Sequence, residues 1–154
     1  MSSTLPVTHY ATPAAFLDAG GPALLAHEVE NNLMLGIALR LRKYPERTRM
    51  APYMATWGAP DRPEAFSAAL MTPPYNLQVY NGLEPRTGPG ALAGLEAIAQ
   101  DLRANNWTLP GVTGHPHAVA DFTRIWTART GITFRDGMRM RIYQLTQVIA
   151  PARP

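Results

Sequence analysis

Two glycines, Gly88 and Gly90, lie where a phosphate-binding loop could form, in the segment LEPRTGPGALAGLE over 83–96. The preceding segment NLQVYN predicts a strand over 76–81, and ALAGLEAIAQDLRANN predicts a helix over 91–106. A glycine loop between a strand and a helix can bind an anion, because the first free N–H groups of the helix point out of its N-terminus. A tight turn needs the same small residues, so both interpretations stay open, and we favour the turn.

Two histidines, His115 and His117, are separated by a single residue and could share a metal ion on a strand. We favour the interpretation that they cap or precede a helix that begins near Ala118. No Ser–His–Asp motif surrounds any of the four histidines of the chain. We therefore predict no metal site and no serine nucleophile.

The length of 154 residues predicts one domain over 1–150, with 151–154 as a tail or the start of a linker. A hydrophobic content of 46% with 16% charged residues indicates a packed globule rather than a disordered chain. The lack of cysteine excludes disulfides and thiolate chemistry. No apolar run approaches the roughly 18–20 residues that span a bilayer, and no signal-peptide pattern is present, so we expect a soluble cytoplasmic protein without a membrane partner.

Five of the 14 lysines and arginines form the only basic cluster, near the end of a predicted helix. Its members are Arg40, Arg42, Lys43, Arg47 and Arg49. Cations at this place stabilise the negative end of the helix dipole. The net charge is only +3, and no basic stripe with interleaved aromatic residues is present, so we predict no nucleic-acid partner.

The N-terminal region predicts a short helix, PAAFLDA, that ends at Gly20–Gly21, and a longer helix over 22–43. Several residues of the longer helix recur at the period of an amphipathic helix: Leu25, Val29, Leu33, Gly36, Ile37 and Arg40. Asn31 and Asn32 interrupt this helix with poor helix formers. We predict that the two asparagines form an exposed turn; the alternative is that they line a pocket.

Apolar runs predict strands over 49–58, 64–74 and 76–81, a brief strand or turn at LPGVTGH, and a helix over 118–129. From Ile132, the alternation in FRDGMRMRIYQLTQVI predicts a β-hairpin with its turn at Arg135-Asp136-Gly137. The resulting order is two helices, strands, a helix, a strand, a helix and strands. This order predicts a mixed α/β domain.

Several segments resemble the GNAT-type N-acetyltransferases. EVENNLMLGIAL resembles the second helix of one branch of this superfamily, ALMTPPYNL resembles its passage between two strands, and LPGVTG, FTRIWTARTG and GMRMRIYQLTQV resemble its closing part. The resemblance implies a GNAT-like fold, α/β but mixed and α+β-like, with a central, mostly antiparallel twisted sheet flanked by about four helices. It also implies the N-terminal half of a tandem protein, because members of this branch often continue into a second GNAT-like unit.

The superfamily transfers an acetyl group from acetyl-CoA to a primary amine and holds the CoA pyrophosphate on a loop between a strand and a helix. On this chain, the resemblance assigns the cofactor contacts to Arg86, Gly88, Gly90 and Ala91. The loop is one residue shorter than the family pattern, and Pro89 removes a backbone donor. We therefore expect acetyl-CoA binding to be weak or absent.

The resemblance places the tyrosine that acts as the acid at the position of Thr127, an aliphatic hydroxyl that is too weak an acid for this step. Tyr143 is a substitute candidate, although a buried strand tyrosine is the commoner case. The candidates for the general base are Glu28, Glu30 and Glu64.

These inferences predict a GNAT-like domain that is catalytically weak or silent. It would support a second GNAT-like domain, pair with another copy as a homodimer, or hold an amine-bearing substrate. The alternative is an active N-acetyltransferase that acts on a small-molecule or peptide amine. A third interpretation is a basic module for an acidic partner.

Overall fold

A five-stranded sheet organises the chain, of which the computed structural model describes residues 5–151. In spatial order, the strands are β1 (Thr8–His9), β2 (Tyr53–Gly58), β3 (Phe66–Met71), β4 (Leu77–Asn81) and β5 (Val112–Gly114). Strands β1 to β4 pair antiparallel, whereas β4 and β5 are parallel. The helices are α1 (Pro13–Leu25), α2 (Glu28–Lys43), α3 (Ala93–Ala104) and α4 (Pro116–Thr130). The prediction of a mixed α/β domain with a mostly antiparallel sheet and four helices is confirmed.

Helices cover both faces of the sheet, because the strands carry apolar side chains on both sides. One core lies against α3 and α4, and its sheet members are Tyr53, Ala55, Ala69, Met71, Leu77 and Val79. The other core lies against α1 and α2, and its sheet members are Met54, Phe66, Ala68, Leu70 and Tyr80. None of the helices described within residues 5–151 has the length and apolarity needed to cross a membrane.

Asp101 ties α3 to the first two strands. The hydroxyl of Tyr53 on β2 donates a hydrogen bond to Asp101 Oδ2 at 2.7 Å, and His9 Nε2 on β1 lies 2.9 Å from Asp101 Oδ1. Burial raises the pKa of Tyr53 well above its ordinary value, and the hydrogen bond to Asp101 and the charge of that carboxylate raise it further. The phenol therefore stays protonated at neutral pH and continues to donate this hydrogen bond.

Helix α1 does not end at Gly20–Gly21, as predicted, but continues through Pro22 to Leu25, and α2 begins only at Glu28. Gly20 is buried, and a Cβ at this position would lie 3.1 Å from the ring of Phe66. The glycine therefore serves the close approach of the helix to the sheet rather than the end of the helix. Sequence alone gives no signal for this contact, because Phe66 is distant along the chain.

The residues of α2 that recur at the amphipathic period do not form its buried face. Val29 and Leu33 are exposed, as is Leu25 just before the helix. The buried residues of α2 are Asn31, Met34, Leu35, Ala38 and Leu41. Helix α2 contains two sets of apolar residues, and both sets recur at the same helical spacing. The spacing therefore does not decide which set contacts the sheet.

Asn31 is buried, which overturns the prediction of an exposed turn for the two asparagines. Its Nδ2 donates a hydrogen bond to the carbonyl oxygen of Leu24 at 3.2 Å and so ties α2 to the end of α1. Asn32 is exposed, as predicted. Neither asparagine is among the residues that line the cleft described below.

The predicted C-terminal hairpin is wrong, since residues 132–151 form neither strand nor helix. We call these residues the tail segment. Nearly all of them are exposed, and Phe134 alone packs against the core beside α3 and α4. The alternating pattern supplies β-propensity, but a strand is stable only when a neighbouring strand pairs with it.

We expect Asn31→Ala to lower the free energy of unfolding by about 1 kcal/mol, because it removes the buried hydrogen bond between α2 and α1. Asn32→Ala is the matched control and should raise stability by about 0.5 kcal/mol, because alanine is the better helix former at an exposed position. Urea unfolding of both variants measures the difference. If both substitutions change the free energy of unfolding equally, the buried hydrogen bond between Asn31 and Leu24 does not stabilise the fold.

Candidate functional site

A cleft of about 220 Å³ opens at the carboxyl ends of β4 and β5. Parallel strands bring their carboxyl ends to one edge of the sheet, where ligand sites of α/β folds commonly lie. The residues that line the cleft are Glu30, Tyr80, Asn81, Arg86, Thr87, His115, His117, Ala118 and Asp121. They come from α2, the end of β4, the loop after β4 and the first turns of α4.

The short connection between β5 and α4 brings two histidines to the cleft. Gly114 ends β5, and a Cβ at this position would collide with the carbonyl oxygen of Val79 on β4. Pro116 then occupies the first position of α4, which proline favours, with His115 just before it. The imidazole rings of His115 and His117 stack with centroids 5.2 Å apart. His115 does precede the helix, but α4 begins at Pro116 rather than near Ala118, and no side-chain cap hydrogen bond forms.

Tyr80 supplies a buried phenol near the end of β4. Its ring centroid lies 6.1 Å from that of Phe66, and a Cβ at position 82 would lie 2.6 Å from its hydroxyl. Gly82 is therefore required for the phenol to take this place. Burial and, next, the negative charge of Glu30 raise the pKa of Tyr80 to about 12, while Arg86 lowers it to a smaller extent. The phenol is thus neutral at physiological pH.

Charged groups of both signs surround the phenol. Arg124 donates to Asp121 at 3.0 Å, and Arg86 donates to Glu84 at 3.1 Å. Glu30 forms no ion pair with any residue from 5 to 151. A carboxylate without an ion-pair partner, near a neutral phenol and two imidazoles, can bind a cationic amine and can accept a proton from it.

The loop between β4 and α3 forms a closed turn. Gly88 and Gly90 have φ values of 93° and 87°, in the left-handed region that favours glycine. The N–H groups of Ala91 and Ala93 donate to the carbonyl oxygens of Gly88 and Gly90 at 3.3 and 3.1 Å. Pro89 has no N–H to offer. Three backbone positions that could have bound a phosphate are therefore engaged or lack a donor.

The glycines of this loop are explained by backbone conformation alone. A Cβ at Gly88 or Gly90 would meet no described atom within 4 Å, so close packing does not require them. A phosphate cradle needs several convergent N–H groups, and two N–H groups of this loop, those of Ala91 and Ala93, donate to carbonyl oxygens of the loop itself.

Asn81 closes the base of the same loop. Its Oδ1 accepts a hydrogen bond from Ser67 Oγ at 2.8 Å, and its Nδ2 donates to the carbonyl oxygen of Ala91 at 3.0 Å. Gly94 lets the first turn of α3 approach β3, since a Cβ there would collide with the side chain of Ser67. Asn81 therefore holds the loop in its turn while its side chain borders the cleft.

Four of the residues selected from the sequence meet at the cleft: Glu30, Arg86, His115 and His117. Gly88, Gly90 and Ala91 belong to the adjoining loop but do not line the cleft. Glu28 is exposed in the first turn of α2 and also lies outside it.

The other selected residues lie elsewhere. Glu64 borders a separate depression together with Trp57 and Glu84. Tyr143 is 83% exposed in the tail segment, so it is not a buried strand tyrosine. Thr127 Oγ1 donates to the carbonyl oxygen of Ile132 at 2.7 Å and is engaged in holding the chain after α4.

Sequence reasoning missed Tyr80 and Asp121. Tyr80 lies near the end of an alternating strand just before the glycine loop, a position at which a strand residue reaches the edge of a sheet. Asp121 follows His117 by four residues, so the two share one face of a helix. Both signals are present in the sequence. Within residues 5–151, no group of three or more histidines and carboxylates is arranged to hold a metal ion.

No protein-family model, no curated protein and no solved structure matches this chain. The resemblance to GNAT-type proteins therefore rests on the sequence segments alone.

We expect Gly90→Ala to lower the free energy of unfolding by about 1–2 kcal/mol, because alanine is strained at a φ of 87°. Gly36→Ala is the matched control, since Gly36 is exposed inside α2 and a Cβ added there would meet no described atom within 4 Å. It should raise stability by about 0.5–1 kcal/mol. Denaturant unfolding measures both, and a neutral Gly90→Ala would show that the loop does not hold a left-handed glycine.

We expect Glu30→Gln to lower the pKa of Tyr80 from about 12, because one of its causes is the charge of Glu30. Glu28→Gln is the control and should leave this pKa unchanged. Titration of ¹³C-labelled tyrosine by NMR measures the shift. Since the folded pKa lies above the ordinary value of 10.0, the stability contributed by Tyr80 is complete below pH 10 and is lost as the pH rises to about 12.

Proposed function

We propose that this chain is a GNAT-like domain with little or no acetyltransferase activity of its own, which acts by supporting a second unit. The fold is compatible with this proposal. The order of its elements through α4, its mostly antiparallel sheet and its four helices agree with what the resemblance implies. The loop after β4 has the position, between a strand and a helix, at which the superfamily holds its cofactor.

The observation that carries the proposal is the closed form of this loop. An acyl-CoA enzyme of this type needs backbone N–H groups that converge on the pyrophosphate. Here Ala91 and Ala93 donate to carbonyl oxygens of the loop itself, and Pro89 has no donor. These N–H groups are therefore not available to a pyrophosphate while the turn is formed.

The available acids also argue against efficient transfer. Thr127 is engaged with the backbone, and Tyr143 lies in the tail segment. Tyr80 borders the cleft, but its pKa of about 12 is well above the value of about 8.5 typical of a cysteine thiol. Protonation of a thiolate by this phenol would therefore be uphill.

The supporting role follows from the exposed apolar surface of the chain. The tail segment leaves several large apolar side chains in water, among them Met138, Ile142, Leu145 and Val148. Exposed apolar surface of this extent is typical of an interaction site. We propose that a second GNAT-like domain or another copy of the chain uses such surface, in the cytoplasm, where a chain without cysteine is at no disadvantage.

A second candidate is an active N-acetyltransferase on a small-molecule or peptide amine, and the composition of the cleft favours it. Glu30 is a carboxylate with no ion-pair partner within residues 5–151, and His117 brings an imidazole, a group that serves as a proton acceptor in many enzymes. Either group could remove a proton from an ammonium group bound in the cleft.

Calorimetric titration with acetyl-CoA separates these two functions. We expect no binding by the wild-type protein at acetyl-CoA concentrations up to about 1 mM. Any binding free energy is then weaker than about −4 kcal/mol. Pro89→Ala returns one N–H to the loop and should tighten binding relative to wild type. Pro60→Ala is the control, since Pro60 lies in the turn that Arg62 N–H closes onto the carbonyl oxygen of Ala59.

Micromolar binding by the wild-type protein, weakened by bulkier residues at Gly88 and Gly90, would overturn the silent interpretation. An assay of acetyl transfer to a panel of amines then tests the second candidate directly. If Glu30→Gln loses that activity and Glu28→Gln retains it, the general base is Glu30 in the cleft.

A further inference from the structure

The hydroxyl of Tyr80 makes no hydrogen bond within residues 5–151, although the residue is only 4% exposed. The hydroxyl of Tyr53, by contrast, donates to Asp101 Oδ2 at 2.7 Å. A buried polar group that lacks a partner costs free energy, so such groups are nearly always satisfied. Tyr80 lines the cleft, and a molecule bound there can supply the missing partner.

The N-terminus of α4 brings free backbone donors to the same cleft. His115 precedes the helix, and its side chain forms no cap hydrogen bond. The N–H group of Val119 donates to the carbonyl oxygen of His115, but the N–H groups of His117 and Ala118 make no hydrogen bond within the described chain. His117 and Ala118 both line the cleft. Free N–H groups at the positive end of a helix dipole favour the binding of an anion.

Two side chains of opposite charge, Glu30 and Arg86, line the cleft without pairing with each other. Because no ion pair joins them, more than 4.0 Å separates the carboxylate oxygens of Glu30 from the nitrogens of Arg86. Arg86 donates to Glu84 through Nε alone, so its two Nη groups have no partner in the part of the chain described. Both charges act on the phenol of Tyr80, since Glu30 raises its pKa and Arg86 lowers it. A site for a cation and a site for an anion therefore lie near one neutral hydroxyl.

The charges of the cleft disfavour a ligand of one sign. Inorganic phosphate or another simple anion would meet the carboxylates of Glu30 and Asp121, which would repel it. A simple amine could bind to Glu30 but would leave the N–H groups of His117 and Ala118 without an acceptor. A molecule that carries both an ammonium group and a carboxylate pairs with all of these groups.

The volume of the cleft limits the size of such a ligand. The cleft holds about 220 Å³, less than the roughly 300–1,000 Å³ typical of sites for drug-sized molecules. At about 30 Å³ for each water molecule of the liquid, this is the space of about seven waters. A single amino acid has this size, whereas CoA or a peptide of several residues is larger.

We propose that the cleft binds a free α-amino acid. The ammonium group of the ligand pairs with Glu30. Its carboxylate accepts hydrogen bonds from the N-terminus of α4, from the hydroxyl of Tyr80 and from Arg86. This proposal does not depend on the proposed function, since amino-acid binding requires no acetyl-CoA.

Titration of the ¹⁵N-labelled protein with each standard L-amino acid, followed by NMR, tests the ligand class. We expect at least one amino acid to bind with a dissociation constant of about 1 mM or lower. Its binding should shift the amide signals of His117 and Ala118, because these N–H groups gain an acceptor. The amide and the N-acetyl derivative of that amino acid should each bind at least about tenfold more weakly, since each lacks one of the two charges.

Substitution of Glu30 tests the contact with the ammonium group. We expect Glu30→Gln to weaken binding of the amino acid about tenfold or more, because the cation loses its counter-charge. The N-acetyl derivative has no ammonium group, so its affinity should be the same for Glu30→Gln and the wild type. Glu28→Gln is the matched control, since Glu28 lies in the same first turn of α2 but outside the cleft. It should leave both affinities unchanged.

Substitution of Tyr80 tests the role of the buried hydroxyl. We expect Tyr80→Phe to weaken binding of the amino acid about fivefold, because one hydrogen bond to the carboxylate is lost. The hydroxyl has no partner in the described chain, so urea unfolding should show no loss of stability in this variant. Tyr75→Phe removes an exposed hydroxyl between β3 and β4, outside the cleft, and should leave binding unchanged.

The proposal is overturned if no amino acid binds at concentrations up to about 10 mM. It is also overturned if the amide or the N-acetyl derivative binds as tightly as the parent amino acid, or if Glu30→Gln and Glu28→Gln have equal effects. The proposed function fails on a different result. Micromolar binding of acetyl-CoA would overturn the silent interpretation and leave the amino-acid site unaffected.

Discussion

The parallel pairing of β4 and β5 governs the layout of the domain around its cleft. Parallel neighbours cannot be joined by a tight turn, so the chain crosses over through α3, whose apolar face then covers one side of the sheet. Gly114 permits the pairing, because any larger residue would collide with the carbonyl oxygen of Val79. The register from Leu77 opposite Val112 to Val79 opposite Gly114 brings both strand ends to one edge, and the cleft forms there.

Helix α2 connects the interior, the cleft and the outer surface. Asn31 holds the end of α1, Met34 and Ala38 pack towards the sheet, and Glu30 borders the cleft. Leu33 on the remaining side faces outwards. The helix therefore packs against both α1 and the sheet while it carries the carboxylate of Glu30 at the edge of the cleft.

Much of the fold follows from local signals. The prediction for α3 differs from the observed bounds by two residues at each end, because a strong amphipathic period and flanking loop residues agree there. The errors arise where the same local sequence pattern is compatible with two different tertiary structures. Gly20 has the signature of a helix end but here meets Phe66, and the alternation after Ile132 found no neighbouring strand. For the cleft, the sequence led to Glu30 and both histidines but not to Tyr80, whose chemistry depends on burial.

Local sequence was sufficient for the types and order of the elements from α1 to α4, the lack of thiol chemistry and the place of the glycine loop, whereas the short strand β1 was not predicted. These properties depend on residues close together in the chain. Long-range packing was needed to select the buried stripe of α2, to turn the loop donors onto Gly88 and Gly90, and to bring particular ionisable groups together at the cleft. Each of these outcomes is set by contacts between distant residues, and neither propensity nor periodicity contains that information.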